Sequence, residues 1–162
     1  MSETRLLEGG LQASGRRFAI VAARFNGRVV DSLVSAAIDC LLRHGALAAD
    51  VTVVRVPGAW ELPLALEELA ASGRYEALVA LGVVIRGETP HFDYVCNECS
   101  KGVAAVTARY RLPIGFGVLT TENTEQATAR AGGKAGNKGW DAALAALEMA
   151  DLLARLRRPP QE

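Results

Sequence analysis

The length, composition and charge of the chain favour one compact domain and argue against two classes of partner. A domain of 162 residues can remove roughly 70% of its unfolded surface from water, which is enough for one core. Its 18 basic and 18 acidic side chains cancel, so we expect no nucleic-acid and no membrane partner. No apolar run approaches the ~18 residues of a membrane span, and residues 1–16 lack the apolar core of a signal peptide. This pattern is typical of a soluble, cytoplasmic protein.

Apolar runs alternate with segments of helical periodicity along the whole chain. Strands are predicted at Phe18–Ala23, Val51–Val56, Ala77–Ile85 and 114–119, and helices at 30–42, Leu62–Ala71, 91–109, 124–131 and Lys138–Leu156. Such alternation requires parallel strands with helices packed on both faces. We therefore predict a flavodoxin-like three-layer α/β/α sandwich with a four-stranded parallel sheet. One domain spans residues 1–162, with an N-terminal extension at 1–17 and a tail at 157–162.

The last predicted helix is apolar in nearly every direction. Its Ala, Leu and Met side chains, from Ala142 to Leu153, exceed what one core-facing stripe needs. A helix of this kind usually packs against other subunits, so the pattern predicts a homo-oligomer.

The three cysteines are predicted to be reduced structural thiols. Cys40 lies within a helical pattern, and Cys96 and Cys99 have C-x-x-C spacing. That spacing lacks both the second pair of a zinc site and the preceding strand of a redox dithiol. We expect no metal.

Four segments should meet at the carboxyl edge of the sheet, where open α/β sheets bind ligands. They are residues 24–27, 57–61, 86–91 and 120–123. Phe25 and Trp60 offer flat faces to a heteroaromatic ligand, although rim packing would explain each ring alone. His91 is the first candidate for proton transfer, or else an ordinary residue of a first helical turn. Glu61 and Glu88 are either ligand acceptors or charges that complement a helix dipole.

A glycine-rich segment between the last two helices carries basic residues. Residues 132–139, GGKAGNKG, do not fit the nucleotide-triphosphate loop pattern and follow a helix, so the segment is interpreted as a tight turn. Arg130, Lys134 and Lys138 are close enough in sequence to hold one phosphate. A solvated charge run is the competing interpretation.

Five blocks together resemble the 6,7-dimethyl-8-ribityllumazine synthase family in order and spacing, over about residues 18–156. They are Arg24-Phe25-Asn26, Pro57-Gly58-Ala59-Trp60-Glu61-Leu62-Pro63, residues 81–92, Phe116-Gly117-Val118-Leu119-Thr120 and Lys134-Ala135-Gly136-Asn137-Lys138-Gly139. The resemblance implies a transferase of riboflavin biosynthesis. It condenses 5-amino-6-(D-ribitylamino)uracil with 3,4-dihydroxy-2-butanone 4-phosphate, releasing phosphate and water, with no cofactor.

The resemblance also assigns roles to individual residues. His91 matches the family's proton-transfer histidine, and Phe25 the ring that stacks on the pyrimidine. The ribityl chain and the ring would be held by Ala59, Trp60 and Glu61, and Val83, Val84 and Ile85 would line the same pocket. The butanone phosphate would lie beside Glu88 and Thr89, with Arg130 on its phosphate, and Phe116 would come from a neighbouring subunit. Asp141 stands where many relatives have Glu, which bears on a contact with Lys138.

Family members are pentamers, pairs of pentamers or sixty-subunit shells, so the resemblance implies a homopentamer. The short turn at 132–139 is similar to that of shell-forming members, and riboflavin synthase is a candidate partner. Residues before Phe18 would add an edge strand to the adjacent subunit's sheet. Two other functions stay open beside the enzyme: a flavin- or phosphate-binding carrier, and a purely structural shell protein.

Overall fold

The computed structural model describes residues 3–159 and has a central sheet of four parallel strands. These are β1 (Phe18–Ala23), β2 (Val51–Val56), β3 (Ala77–Ile85) and β4 (Ile114–Thr121), in the spatial order β2-β1-β3-β4. The helices are α1 (Gly27–Arg43), α2 (Leu62–Ala71), α3 (His91–Tyr110), α4 (Thr124–Arg130) and α5 (Lys138–Leu156). The predicted flavodoxin-like three-layer sandwich is confirmed. None of the helices within residues 3–159 is long and apolar enough to cross a membrane.

The alternation of side chains along β1 divides the core into two layers. Phe18 and Ile20 pack on one face with buried residues of α1 and α5, while Ala19 and Val21 pack on the other with α2 and α3. All six residues of β1 are buried, because a central parallel strand is covered on both sides. The continuous apolar runs of β1 and β3 follow from this double burial.

Close packing of α5 depends on glycine in two places. A Cβ on Gly115 of β4 would lie 2.0 Å from the Ala142 carbonyl oxygen, and one on Gly139 would lie 2.1 Å from the Leu33 carbonyl oxygen. No side chain fits at either distance. The helix thereby packs on both the sheet and α1, yet Ala145 and Met149 remain exposed in the single chain.

The segment between α4 and α5 differs from the predicted tight turn. It forms a two-stranded antiparallel ribbon, β5 (Ala131–Gly133) and β6 (Gly136–Asn137), and α4 ends at Arg130. Gly132 and Gly136 have φ of 106° and 79°, which glycine adopts without strain. The Asn137 side chain then begins α5 by accepting hydrogen bonds from the backbone N–H groups of Gly139 and Trp140.

Part of the N-terminal extension is fixed to the chain's own α5. The Gly10 N–H donates to Asp151 Oδ2 at 2.6 Å, and Arg16 Nη2 lies 2.9 Å from Asp151 Oδ1. Arg155 binds the same carboxylate, so one acidic side chain joins three donors. Within residues 3–17 no strand forms, and Leu6 is 76% exposed. Residues 1 and 2 of the predicted extension and 160–162 of the predicted tail lie outside the described residues.

The cysteines lie on helices and form no disulfide in the described chain. Cys40 and Cys99 are buried, and Cys96 is half-buried. Burial raises the pKa of Cys40 and of Cys99 to about 11, so both are protonated at neutral pH.

Candidate active site

A cavity of about 800 Å³ opens at the carboxyl ends of β1, β2 and β3. The chain leaves β1 toward β2 on one side and returns to β3 on the other, so the strand order reverses here. This is the usual ligand site of a doubly wound sheet. The lining consists of Phe25, Pro57, Gly58, Ala59, Trp60, Glu61, Val83, Val84, Ile85, Gly87, Thr89, His91, Phe92, Tyr94 and Val95.

Backbone hydrogen bonds fix Phe25 at the mouth of the cavity. The N–H of Phe25 donates to the Pro57 carbonyl at 3.0 Å, which extends the pairing of β1 with β2 beyond the strand. Asn26 follows in the left-handed region at φ 58°, and its side-chain amide donates to the Val83 carbonyl on β3. Asn tolerates this conformation better than other non-glycine residues. The Phe25 ring is consequently presented to solvent and is 72% exposed.

The turn after β2 presents a second ring. Residues Ala59–Glu61 form a single 3₁₀ turn, in which Ala59 is buried and Trp60 is 56% exposed. The Glu61 carboxylate accepts a hydrogen bond from the Gly58 N–H at 3.0 Å and so stabilises the turn. An ionised carboxylate has about four lone-pair sites, so this bond leaves acceptor capacity for a ligand.

The end of β3 and the start of α3 complete the wall. Val83 is buried and Val84 and Ile85 are half-buried, whereas Thr89 and His91 are exposed. His91 is the first residue of α3 and follows Pro90, which sets the helix start. An exposed imidazole at the cavity can exchange protons with a bound molecule.

Arg86 joins this turn to the neighbouring strand. Its Nε lies 2.7 Å from Glu122 Oε2 and its Nη1 lies 3.5 Å from Asp93 Oδ1. The guanidinium stacks 4.3 Å from the centre of the Phe92 ring. The hydrogen bond that Arg86 donates to the Glu122 carboxylate raises the pKa of Arg86 above its usual value. Of the four predicted segments, only 120–123 does not line the cavity. It is linked to the site through the ion pair between Glu122 and Arg86.

Several lining residues were missed by sequence reasoning. Phe92, Tyr94 and Val95 lie in the first turn and a half of α3. Tyr94 is three residues after His91, a spacing that places both on one face of a helix. From this spacing Tyr94 could have been predicted to line the cavity beside His91.

Four of the predicted site residues do not line the cavity of their own chain: Glu88, Phe116, Arg130 and Lys138. Phe116 pairs in register with Ala80, five positions before Ile85, which is about 16 Å from the strand end. It lies instead in a groove beside Met149 and Leu153 of α5 and is 47% exposed. The Phe116 side chain therefore does not reach the cavity of its own chain.

The basic residues flanking the ribbon differ in their partners. Lys138 Nζ lies 3.5 Å from Asp141 Oδ2, so the shorter acid still makes the contact. The Arg130 guanidinium donates to the Gln126 carbonyl at 3.0 Å, and within residues 3–159 no carboxylate lies within ion-pair distance of it. Its charge is therefore available to an anion. The described residues contain no group of three or more His, Cys, Asp or Glu side chains arranged for a metal.

These features define a doubly wound α/β protein with a cavity at the strand ends that combines aromatic faces with an exposed histidine. Residues 15–154 match the family model of 6,7-dimethyl-8-ribityllumazine synthase. The chain belongs to this family.

Three relatives carry that same name and align over nearly their whole length. The relative from Aquifex aeolicus is 56% identical over 153 residues, 94% of this chain and 99% of its own. The Chlorobaculum tepidum relative is 56% identical over 150 residues, 93% of this chain and 97% of its own. The one from Desulfatibacillum aliphaticivorans is 52% identical over 153 residues, again 94% and 99%.

Proposed function

We propose that this chain is a transferase that forms 6,7-dimethyl-8-ribityllumazine in riboflavin biosynthesis. Its substrates are 5-amino-6-(D-ribitylamino)uracil and 3,4-dihydroxy-2-butanone 4-phosphate, and its products are the lumazine, phosphate and water. The observation that carries the proposal is the cavity that joins Phe25, Trp60 and His91, in a chain that belongs to the lumazine synthase family.

The cavity suits the first substrate in shape and polarity. In this proposal the Phe25 ring stacks on the pyrimidine, and Val83, Val84 and Ile85 form the apolar wall beside it. The turn at Ala59, Trp60 and Glu61 holds the ribityl chain, with the free acceptor sites of Glu61 on its hydroxyls. A volume of about 800 Å³ is within the usual range for a site of one or two small molecules.

The second substrate brings a phosphate that needs a cation. Arg130 is proposed as that cation because no carboxylate of residues 3–159 competes for its guanidinium. Glu88 and Thr89 lie in the turn before α3, and in this proposal the carbon chain of the second substrate lies beside them. Lys138, already paired with Asp141, supports the same anion at longer range.

His91 is proposed to move protons. Attack of the amine on the ketone forms a carbinolamine, which must take up a proton to lose water. Elimination of phosphate and closure of the ring each remove a proton from carbon or nitrogen. An imidazole can both accept and donate a proton, so it can serve each step in turn. Holding the amine and ketone together removes up to roughly 7–11 kcal/mol of barrier, so positioning contributes more than proton transfer.

The site is proposed to be shared by two copies in a homopentamer. Phe116 and Arg130 would come from the copy next to the one that supplies Phe25 and His91. The 16 Å gap between Phe116 and its own strand end supports this arrangement. So do the exposed Ala145 and Met149 beside Phe116, which a neighbour would cover.

We further propose that the chain acts in the cytoplasm as one domain. Its pentamers would assemble into a sixty-subunit shell, and riboflavin synthase would be the partner enclosed in that shell. Residues 3–8, with the exposed Leu6 and Leu7, would pair with the adjacent sheet. Light scattering tests the assembly: the mass of sixty chains supports the shell, and the mass of five rules it out.

The activity is tested by incubating purified protein with both substrates while lumazine absorbance and phosphate release are followed. Equal rates of the two products above the uncatalysed background support the proposal. A background rate from an intact assembly would favour a binding carrier or a structural shell instead.

A further inference from the structure

Arg86 joins the end of β4 to the first turn of α3. Its N–H donates to the Thr121 carbonyl, which extends the pairing of β3 and β4 past Ile85 and fixes its main chain. From there the side chain reaches Glu122 on one side and the first turn of α3 on the other. Glu122 is itself held, because its N–H donates to the Gln126 side chain of α4.

The contacts on α3 are made with the two residues that follow His91. The guanidinium lies over the Phe92 ring and near the Asp93 carboxylate. Phe92 also lines the cavity. The planar guanidinium can stack on a ring and hydrogen-bond to carboxylates at the same time, which a lysine ammonium cannot do.

The same contacts make Arg86 a poor phosphate ligand and a minor contributor to stability. Two carboxylates already offset its charge, in contrast to Arg130. The side chain is 40% exposed, and exposed ion pairs of this kind contribute little to folding. The remaining effect of the contacts between Arg86, Glu122 and α3 is to fix the orientation of the first turn of α3.

We propose that Arg86 is a positioning residue that, with Glu122, holds the first turn of α3 so that His91 faces the substrates. This inference rests on the proposed function for its kinetic consequence. Its structural consequence, an immobilised turn at 91–96, is independent of any activity.

The test compares Arg86→Gln, Arg86→Lys and Glu122→Gln with wild type. Arg86→Gln should lower kcat by about 10–100-fold, as a misplaced catalytic group does, and leave the KM of both substrates nearly unchanged. Arg86→Lys should retain more kcat than Arg86→Gln, and adding Glu122→Gln to Arg86→Gln should cost little more. Peptides covering residues 91–96 should exchange amide hydrogens faster in Arg86→Gln.

Arg74→Gln is the matched control, since Arg74 is also exposed and also stacks on an aromatic ring, Tyr75, but precedes β3 at the opposite end of the sheet. It should leave kcat and exchange at 91–96 unchanged. Melting temperatures of the Arg86 variants should stay within about 4 °C of this control.

Three results would overturn the inference: wild-type kcat and exchange in Arg86→Gln, a raised KM for the butanone phosphate with unchanged kcat, or a large loss of melting temperature that accounts for the lost activity. If wild type itself forms no lumazine, the proposed function fails, and the exchange rates alone then decide whether Arg86 holds the turn.

Discussion

The Asn26 side-chain amide donates a hydrogen bond to the Val83 carbonyl oxygen at 3.0 Å and joins the carboxyl ends of the neighbouring strands β1 and β3. Asn26 adopts φ 58°, so a substitution there tests two effects separately. Asn26→Gly keeps the backbone conformation and loses the bond, whereas Asn26→Ala also introduces left-handed strain of about 1–2 kcal/mol.

The first prediction is therefore an order of stability: wild type, then Asn26→Gly, then Asn26→Ala. The loss of the bond should destabilise by about 1 kcal/mol, and Asn26→Ala by about 1–2 kcal/mol more. Thermal melting of the three proteins checks this order. An alanine variant as stable as the glycine variant would contradict the role of the backbone conformation.

The second prediction concerns His91. His91→Ala should lower kcat by no more than about 10²–10⁴-fold and stay above the uncatalysed rate, because the substrates remain held together. Steady-state kinetics with each substrate measure the loss. A variant with no activity above background and intact substrate binding would show that proton transfer outweighs positioning.

The third prediction concerns Arg130. Arg130→Ala should mainly raise KM for 3,4-dihydroxy-2-butanone 4-phosphate and leave KM for the uracil substrate nearly unchanged, since only one substrate carries phosphate. Arg43→Ala provides a control, because Arg43 is an exposed arginine paired with Asp39 on α1, away from the cavity. Equal effects on both substrates would argue against a phosphate role.

The fourth prediction follows from Asp151, whose pKa is held below its usual value by the Gly10 N–H and by Arg155 and Arg16. A lowered folded-state pKa stabilises the protein above the unfolded value near 3.8, and this stabilisation disappears as pH falls through the folded value. Asp151→Asn should melt lower than wild type at pH 7, by about 3 °C for each ~1 kcal/mol lost.

That difference in melting temperature should shrink as the pH falls below 3.8, where the unfolded chain takes up the proton first, and should disappear once the folded carboxylate is protonated at its lower pKa. Melting curves from pH 7 to pH 3 for both proteins check the sign. A difference that stays constant with pH would mean that the charge of Asp151 does not hold the N-terminal segment.

The fold was predictable because its strands appear in the sequence as short apolar or β-branched runs, which are uninterrupted in β1 and β3, where both faces of the sheet are covered. The bounds of β1, β2 and β3 follow directly from those runs. The end of β4 was missed because Thr120 and Thr121 are polar, although the backbone still pairs with β3. The ribbon at 131–137 was missed because its five strand residues are too few to give a periodicity and glycine is typical of turns as well.

The site was predictable where one strand end carries several polar or aromatic residues together, as after β3. Contacts between distant segments were not. Arg86 and Glu122 are 36 positions apart, and nothing in the sequence reveals that their side chains meet. Glu61 was left with two interpretations, and the structure shows that its carboxylate stabilises its own turn through Gly58.

The central claim is a lumazine-forming site built from two copies, and co-assembly of two defective variants tests it most directly. One variant carries Phe25→Ala and His91→Ala, the other Phe116→Ala and Arg130→Ala, and each alone should retain little activity. When the two variants mix at random in equal amounts, half of the copies have an intact Phe25 and His91, and half of their neighbours have an intact Phe116 and Arg130. About a quarter of the interfaces then hold a complete site, so the mixed assembly should recover about a quarter of wild-type activity. Two affinity tags verify that the assemblies are mixed. A mixed assembly whose activity is only the average of the activities of the separate variants would contradict a shared site.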